Sequence, residues 1–150
     1  MKDLYLEDLE TGQVFRGSTR IRVTVEDIIR FAREYDPQPF HLDDKAAKES
    51  IFGGLAASGW HTAAMTMRLL VDGDCRIAGG LIGLGFEEMR WPRPVRPGDE
   101  LRAQSEVLEK RESKSRQDQG LVKLRNSTFN QHDEPVQVSI GTLIVPRRGR

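Results

Sequence analysis

The residues best able to do chemistry lie in Tyr35-Asp36-Pro37-Gln38-Pro39-Phe40-His41-Leu42-Asp43, where a carboxylate and an imidazole stand five positions apart. An imidazole titrates near neutrality, and a carboxylate can orient it, hold a water or take a proton. Asp36 and His41 are therefore a candidate acid/base pair. Each proline locks its own φ and disfavours the helical region for the residue before it, here Asp36 and Gln38. The segment thus reads as a stiff, extended bridge whose ends can converge on one small molecule. The same letters, taken alone, also fit an Asp-Pro helix stop followed by a surface histidine.

The elements around this bridge must hold it in place. Phe15 to Val23 alternates loosely and is rich in charge, as in a first strand with one face in water. Thr24 reads as an N-cap with Asp27 at the third helical position. Ile28, Ile29, Phe31 and Ala32 fall on one side of a helix that runs to Tyr35 and delivers Asp36. Asp43 or Asp44 caps a short polar turn, Lys45-Ala46-Ala47-Lys48-Glu49, before the Gly53-Gly54 break. A second helix is expected from Ser58 to Val71. Trp60, Ala63, Ala64, Met67, Leu70 and Val71 cover more than a narrow stripe of it, which predicts burial, and its small residues permit close approach of a sheet. Asp72-Gly73-Asp74 ends it. Four strand-like runs follow at about 78–91, 100–110, 121–130 and 136–145, with turn residues between them. Helices first and strands bunched later predict an α+β fold. No linker, repeat or low-complexity block divides the chain, so residues 1–150 are expected to form a single domain.

Composition excludes several function classes. Twenty-three Lys and Arg cancel 23 Asp and Glu, so no global field points to nucleic acid. The lone Cys75 permits no internal disulfide and reads as a buried or incidental thiol. Residues 1–10 lack an apolar leader core and no stretch approaches the length of a membrane span, so a cytoplasmic protein that does not enter a membrane is expected. His41, His61 and His132 show no metal-ligand spacing, and neither a metal nor another cofactor is predicted. Arg147, Arg148 and Arg150 read as a solvated tail.

Three segments in order carry a further signal: Asp36-Pro37-Gln38-Pro39-Phe40-His41; the run Phe52-Gly53-Gly54-Leu55-Ala56-Ala57-Ser58-Gly59 opening the second helix; and Arg93-Pro94-Val95-Arg96-Pro97-Gly98-Asp99. Together they resemble the MaoC-like dehydratases, a hotdog-fold family that includes R-specific enoyl-CoA hydratases. The likeness covers about residues 8 to 145. The family pattern is Asp-x-Asn-Pro-x-His, a His-Gly or Ser-Gly step opening the long helix, and a Pro-Val-x-Pro-Gly-Asp turn. Gln38 departs from it by standing where the family usually has Asn.

The resemblance implies an antiparallel sheet wrapped around a long central helix, and hydration of an enoyl-CoA or dehydration of a 3-hydroxyacyl-CoA. In that reading Asp36 and His41 jointly hold the water, the Gly59 N–H faces the developing oxyanion, and Gln38 orients the water or the Asp36 carboxylate. Ser58, where many relatives have His, either caps the helix or touches the substrate. Arg90, Arg93 and Arg96 line the proline turn and offer a basic rim for CoA phosphates, although arginines so spaced are also commonly solvated. An isolated hotdog leaves a sheet edge open, which predicts a homodimer or higher homo-oligomer. Two alternatives stand beside the hydratase. A hotdog thioesterase would place a carboxylate on or near the central helix, and Ser58 to Val71 offers none. A non-catalytic acyl-CoA-binding protein has Gln38 as the one feature in its favour.

Overall fold

The computed structural model describes residues 2–149. A 3₁₀ turn at Leu6–Asp8 is followed by strands β1 (Val14–Arg16) and β2 (Ile21–Arg22), and then by helices α1 (Val25–Tyr35), α2 (Pro39–Leu42), α3 (Asp44–Lys48) and α4 (Gly59–Val71). Strands β3 (Ile82–Arg90), β4 (Glu100–Glu112), β5 (Gln119–Phe129) and β6 (Pro135–Pro146) complete the chain. The sheet is antiparallel in the order β1-β4-β5-β6-β3, with β2 added along β4. This is the α+β hotdog arrangement, with α4 laid across the concave side of the sheet.

Period-two burial builds the inner face. Leu101, Ala103, Ser105 and Val107 of β4 alternate with more exposed residues, as do Val122, Leu124 and Thr128 of β5. These residues join two apolar clusters, of which the first includes residues of α4. One gathers Val23, Ile28, Leu55, Met65, Leu69 and Val95; the other gathers Leu6, Leu9, Ile77, Val107, Val122 and Val145. Each large side chain so buried contributes about 1.5–3 kcal/mol over leaving it exposed. Thr66 and Thr128 share a hydroxyl–hydroxyl bond of 2.6 Å that fixes α4 to β5.

Four expectations need adjustment. The first strand is two short strands, because the chain bends past the end of α4 at Gly17, where an added Cβ would lie 3.1 Å from the Gly73 Cα. The strand expected from Ala78 starts only at Ile82, since Gly79 and Gly80 take positive φ values of 80° and 105° that end any extended run. α4 is buried on one face only, through Thr62, Met65, Thr66 and Leu69, while Trp60 is 61% exposed and Met67 and Val71 also face outward. Its apolar outer face is matched by β3, an edge strand whose Leu84 and Phe86 are each 59% exposed. The C-terminal arginines are not a free tail. Arg147 pairs with Glu7 at 3.2 Å and Glu112 at 3.4 Å, and Arg148 bonds Asp8 and lies over the Tyr5 ring. Arg150 lies outside the described residues. Cys75 is buried, and burial pushes its thiol up to about 11, so it is held as the inert thiol. No helix among the described residues is long and apolar enough to cross a membrane.

Candidate active site at the start of the central helix

Thr24 caps α1 by accepting the Asp27 N–H at 3.1 Å, and the helix runs until Pro37 forbids its continuation. Asp36 leaves the helix at φ −150°, ψ 65°, and Gln38 is extended at φ −103°, ψ 147°, as expected for residues that precede proline. The bridge is nevertheless not extended throughout. Pro39 occupies the first position of α2, where its missing N–H costs nothing and its fixed φ suits a helix, so His41 sits on a one-turn helix. This turn folds the bridge back and brings His41 Nε2 to 3.4 Å from Asp36 Oδ2.

His41 is 5% exposed, and its ring packs against Phe40 and Phe52 with centroids at 4.7 and 5.9 Å. Its Nδ1 lies 2.7 Å from the Ala56 carbonyl oxygen. A carbonyl can only accept, so Nδ1 carries the proton, and in the neutral ring Nε2 is the bare nitrogen turned toward Asp36. Asp36 is held on both oxygens. Ser58 Oγ–H donates to Oδ2 at 2.7 Å and the Gln38 amide donates to Oδ1 at 2.5 Å. Burial, the largest single influence, pushes the carboxyl upward. The Ser58 and Gln38 hydrogen bonds and the His41 charge together outweigh it, and the net direction is downward. An ionised carboxylate and a bare imidazole nitrogen are two acceptors that cannot bond each other without a shared proton. A water donating one hydrogen to each would satisfy both.

Ser58 joins this site to α4. Its Oγ accepts the Trp60 N–H at 3.2 Å, which caps the helix, and its hydrogen goes to Asp36. Ser58 is fully buried, so the structure favours the cap and adds an Asp36 bond in place of direct substrate contact. Gly59 follows as the first helical residue. Its N–H has no intrahelical acceptor by position, and the helix dipole favours negative charge there. A Cβ on Gly59 would lie 2.8 Å from the Trp91 indole, so that ring requires the glycine. Trp91 is fixed by Nε1–H donation to Gln137 Oε1 at 2.9 Å and meets Trp60 edge-on at 5.4 Å. Sequence reasoning did not assign Trp91 to the site. Its position just before the proline turn was the only available sign.

The three arginines do not share a rim. Arg90 pairs with Glu88 at 2.5 Å and Arg93 with Glu134 at 3.2 Å, both on the surface. Arg96 turns inward. It donates to the carbonyls of Gly54 (2.8 Å), Leu55 (3.4 Å) and Phe52, while Asp44 accepts the Leu55 N–H at 2.9 Å. The expectation of Arg96 as a phosphate contact gives way to a clamp on the loop that carries Ala56, the partner of His41. Its planar fork suits several carbonyls at once.

An apolar cavity of about 320 Å³ opens to the surface between the second half of α4 and the sheet, walled by Leu70, Leu81, Leu124 and Leu143, with the outward-facing Met67 and Phe86 at its mouth. Among the described residues no three His, Cys, Asp or Glu side chains gather to hold a metal ion.

A sheet wrapped on one helix, with an Asp/His pair and unpaired N–H groups at that helix's start, defines a hotdog protein equipped for proton transfer. Residues 8–128 match the MaoC like domain, and the chain belongs to the MaoC-like dehydratase family. The crystal structure of a MaoC-like dehydratase from Rhodospirillum rubrum superimposes with a TM-score of 0.94 at 52% identity, covering 98% of this chain and 99% of that one. The R-hydratase PhaJ1 from Pseudomonas aeruginosa, in unliganded form, gives a TM-score of 0.75 at 27% identity, covering 97% and 88%. The mesaconyl-CoA hydratase of Cereibacter sphaeroides is 40% identical over 65 residues, which are 43% of this chain and 19% of that protein. Membership in this family makes the protein hydratase- or dehydratase-like in kind.

Proposed function

We propose that the protein adds water to a trans-2-enoyl-CoA, or removes it from the corresponding (R)-3-hydroxyacyl-CoA. The observation that carries this reading is the 3.4 Å approach of His41 Nε2 to a doubly hydrogen-bonded Asp36, beside the first N–H of α4. A water held between the two groups has its oxygen free to attack C3 of the enoyl chain. The pair takes a proton from that water as its oxygen adds to C3 and returns a proton to C2. The net change is OH on C3 and H on C2, with the protein unchanged. Charge building on the thioester oxygen is met by the Gly59 N–H and the positive end of α4. Gln38, one methylene longer than the family residue, reaches the Asp36 carboxylate and keeps it oriented. The apolar cavity along α4 takes the acyl chain, and the R-hydratase and CoA-ester hydratase relatives favour the same substrate class. The unpaired β3 edge, continuous with the apolar outer face of α4, supports a homodimer joined along both.

Loss of enoyl absorbance with crotonyl-CoA is the test, with free-thiol release followed in parallel. Absorbance loss without thiol is expected. Thiol release would indicate the thioesterase, and binding with neither signal would indicate the non-catalytic acyl-CoA-binding protein. Asp36→Asn and His41→Ala should each lower kcat by about 10²–10⁴-fold with thermal melting unchanged. Near-parental rates in either variant would remove that residue from the mechanism.

A further inference from the structure

We infer that the preferred acyl chain carries a neutral oxygen, a hydroxyl or carbonyl, beyond the reacting carbons, where Ser105 and Asn126 recognise it. This rests on the proposed hydration of an acyl-CoA and narrows its substrate class. Ser105 and Asn126 stand directly opposite each other on β4 and β5, and both line the cavity whose other walls are mostly apolar. Ser105 Oγ–H donates to Asn126 Oδ1 at 2.6 Å. That bond satisfies one end of the amide only. An asparagine amide nitrogen has two donors, and among the described residues Asn126 Nδ2 meets no acceptor. Asn126 is half-buried, so solvent in the open cavity serves this donor until a ligand fills the space; an apolar ligand would then leave it without a partner, whereas a leucine there would extend the wall at no such cost. The pair is what a polar atom on the ligand would complete.

The position fits a group distant from the thioester. Trp91, against Gly59, is tied to Gln137, which pairs with Thr128 in the sheet register. Asn126 lies two residues farther along β5, a displacement of about 7 Å. α4 runs the same way, with Met67 about 12 Å along the helix from Gly59. The pair is therefore within reach of a medium-length acyl chain whose thioester sits at Gly59. Among the described residues no Lys, Arg or His lines the cavity, so a carboxylate beside the pair would lose water on entering an apolar space and gain no cation. The oxygen recognised is an uncharged one.

Calorimetric titration with saturated acyl-CoAs, which have no double bond to hydrate, reads this preference independently of turnover. The probes are hexanoyl-CoA and octanoyl-CoA, their ω-hydroxy analogues, and the mono-CoA esters of the dicarboxylic acids of the same lengths. The ω-hydroxy ester of at least one length should bind ten times or more tighter than the plain ester, and the dicarboxylic esters should bind more weakly than either. Asn126→Leu should reverse the order toward the plain ester, and Ser105→Ala should narrow the difference if the first variant melts early. Equal affinities for plain and hydroxylated esters at both lengths, a preference that survives Asn126→Leu, or no binding by any of them would overturn the inference. Crotonyl-CoA turnover by the parent protein decides the hydratase reading separately, so the two can fail independently.

Discussion

At the scale of single residues, Gln38 is where this chain departs from its family's pattern, and the structure shows how the longer amide is accommodated. The backbone at Gln38 is extended and the side chain folds back two residues, so the extra methylene is absorbed and the amide lands on Asp36 Oδ1. Gln38→Ala should then lower kcat by about tenfold or more, while Gln38→Asn should stay near the parent or exceed it. Equal rates in all three would show the amide to be idle. A pH profile tests the same contact. The Gln38 bond helps hold the Asp36 carboxyl below its ordinary range, so its loss raises that value. The acid limb of kcat/KM should move to higher pH in Gln38→Ala. An unmoved limb would mean that Asp36 is not the group titrating there.

Among the elements, the loop from Phe52 to Ala57 decides where His41 points. It contains two pairs of small residues, Gly53-Gly54 and Ala56-Ala57, its apolar anchors are Phe52 and Leu55, and it is held from outside by Arg96 and Asp44. Arg96→Gln removes several donors from half-buried carbonyls, which should cost about 1–3 kcal/mol in thermal or urea unfolding. It should also lower kcat more than it raises KM, because the Ala56 carbonyl would no longer fix the imidazole. Arg96→Lys should not rescue the rate, since one ammonium cannot span the same carbonyls. If Arg96 met a CoA phosphate instead, KM would rise steeply with salt while kcat held, and the clamp would be refuted.

For the molecule as a whole, the open edge matters most. β3 presents Ile82, Leu84 and Phe86 to solvent, and α4 adds Trp60, Met67 and Val71 on the same side of the sheet. An unpaired strand of nine residues with that composition is a template for another strand. Light scattering at micromolar concentration should give twice the 17.0 kDa chain mass, or a multiple of it. Leu84→Glu should shift the species toward monomer. A monomeric parent protein would count against the oligomer.

The local signals determined much by themselves. The Thr24 cap, the proline-imposed geometry of Asp36 and Gln38, the length of α4 and the alternation of β4 to β6 all follow from interactions between residues a few positions apart, which the order of residues contains. The Asp36 and His41 pair was legible for the same reason: both lie within one short, stiff segment. Tertiary structure decided the contacts that span tens of residues. Ser58 meets Asp36 across 22 positions, Arg96 reaches Gly54 across 42, and Trp91 meets Gln137 across 46. Helix periodicity could show that α4 is apolar nearly all round, but not which side the sheet would cover. That choice depends on the packing of Met65 and Leu69 against β4, and it leaves Trp60, Met67 and Val71 outside. Arg96 looked like a surface cation because charge alone implies solvation. It turns inward because, among the described residues, the loop carbonyls it meets have no other donor, a fact that exists only once the chain has folded.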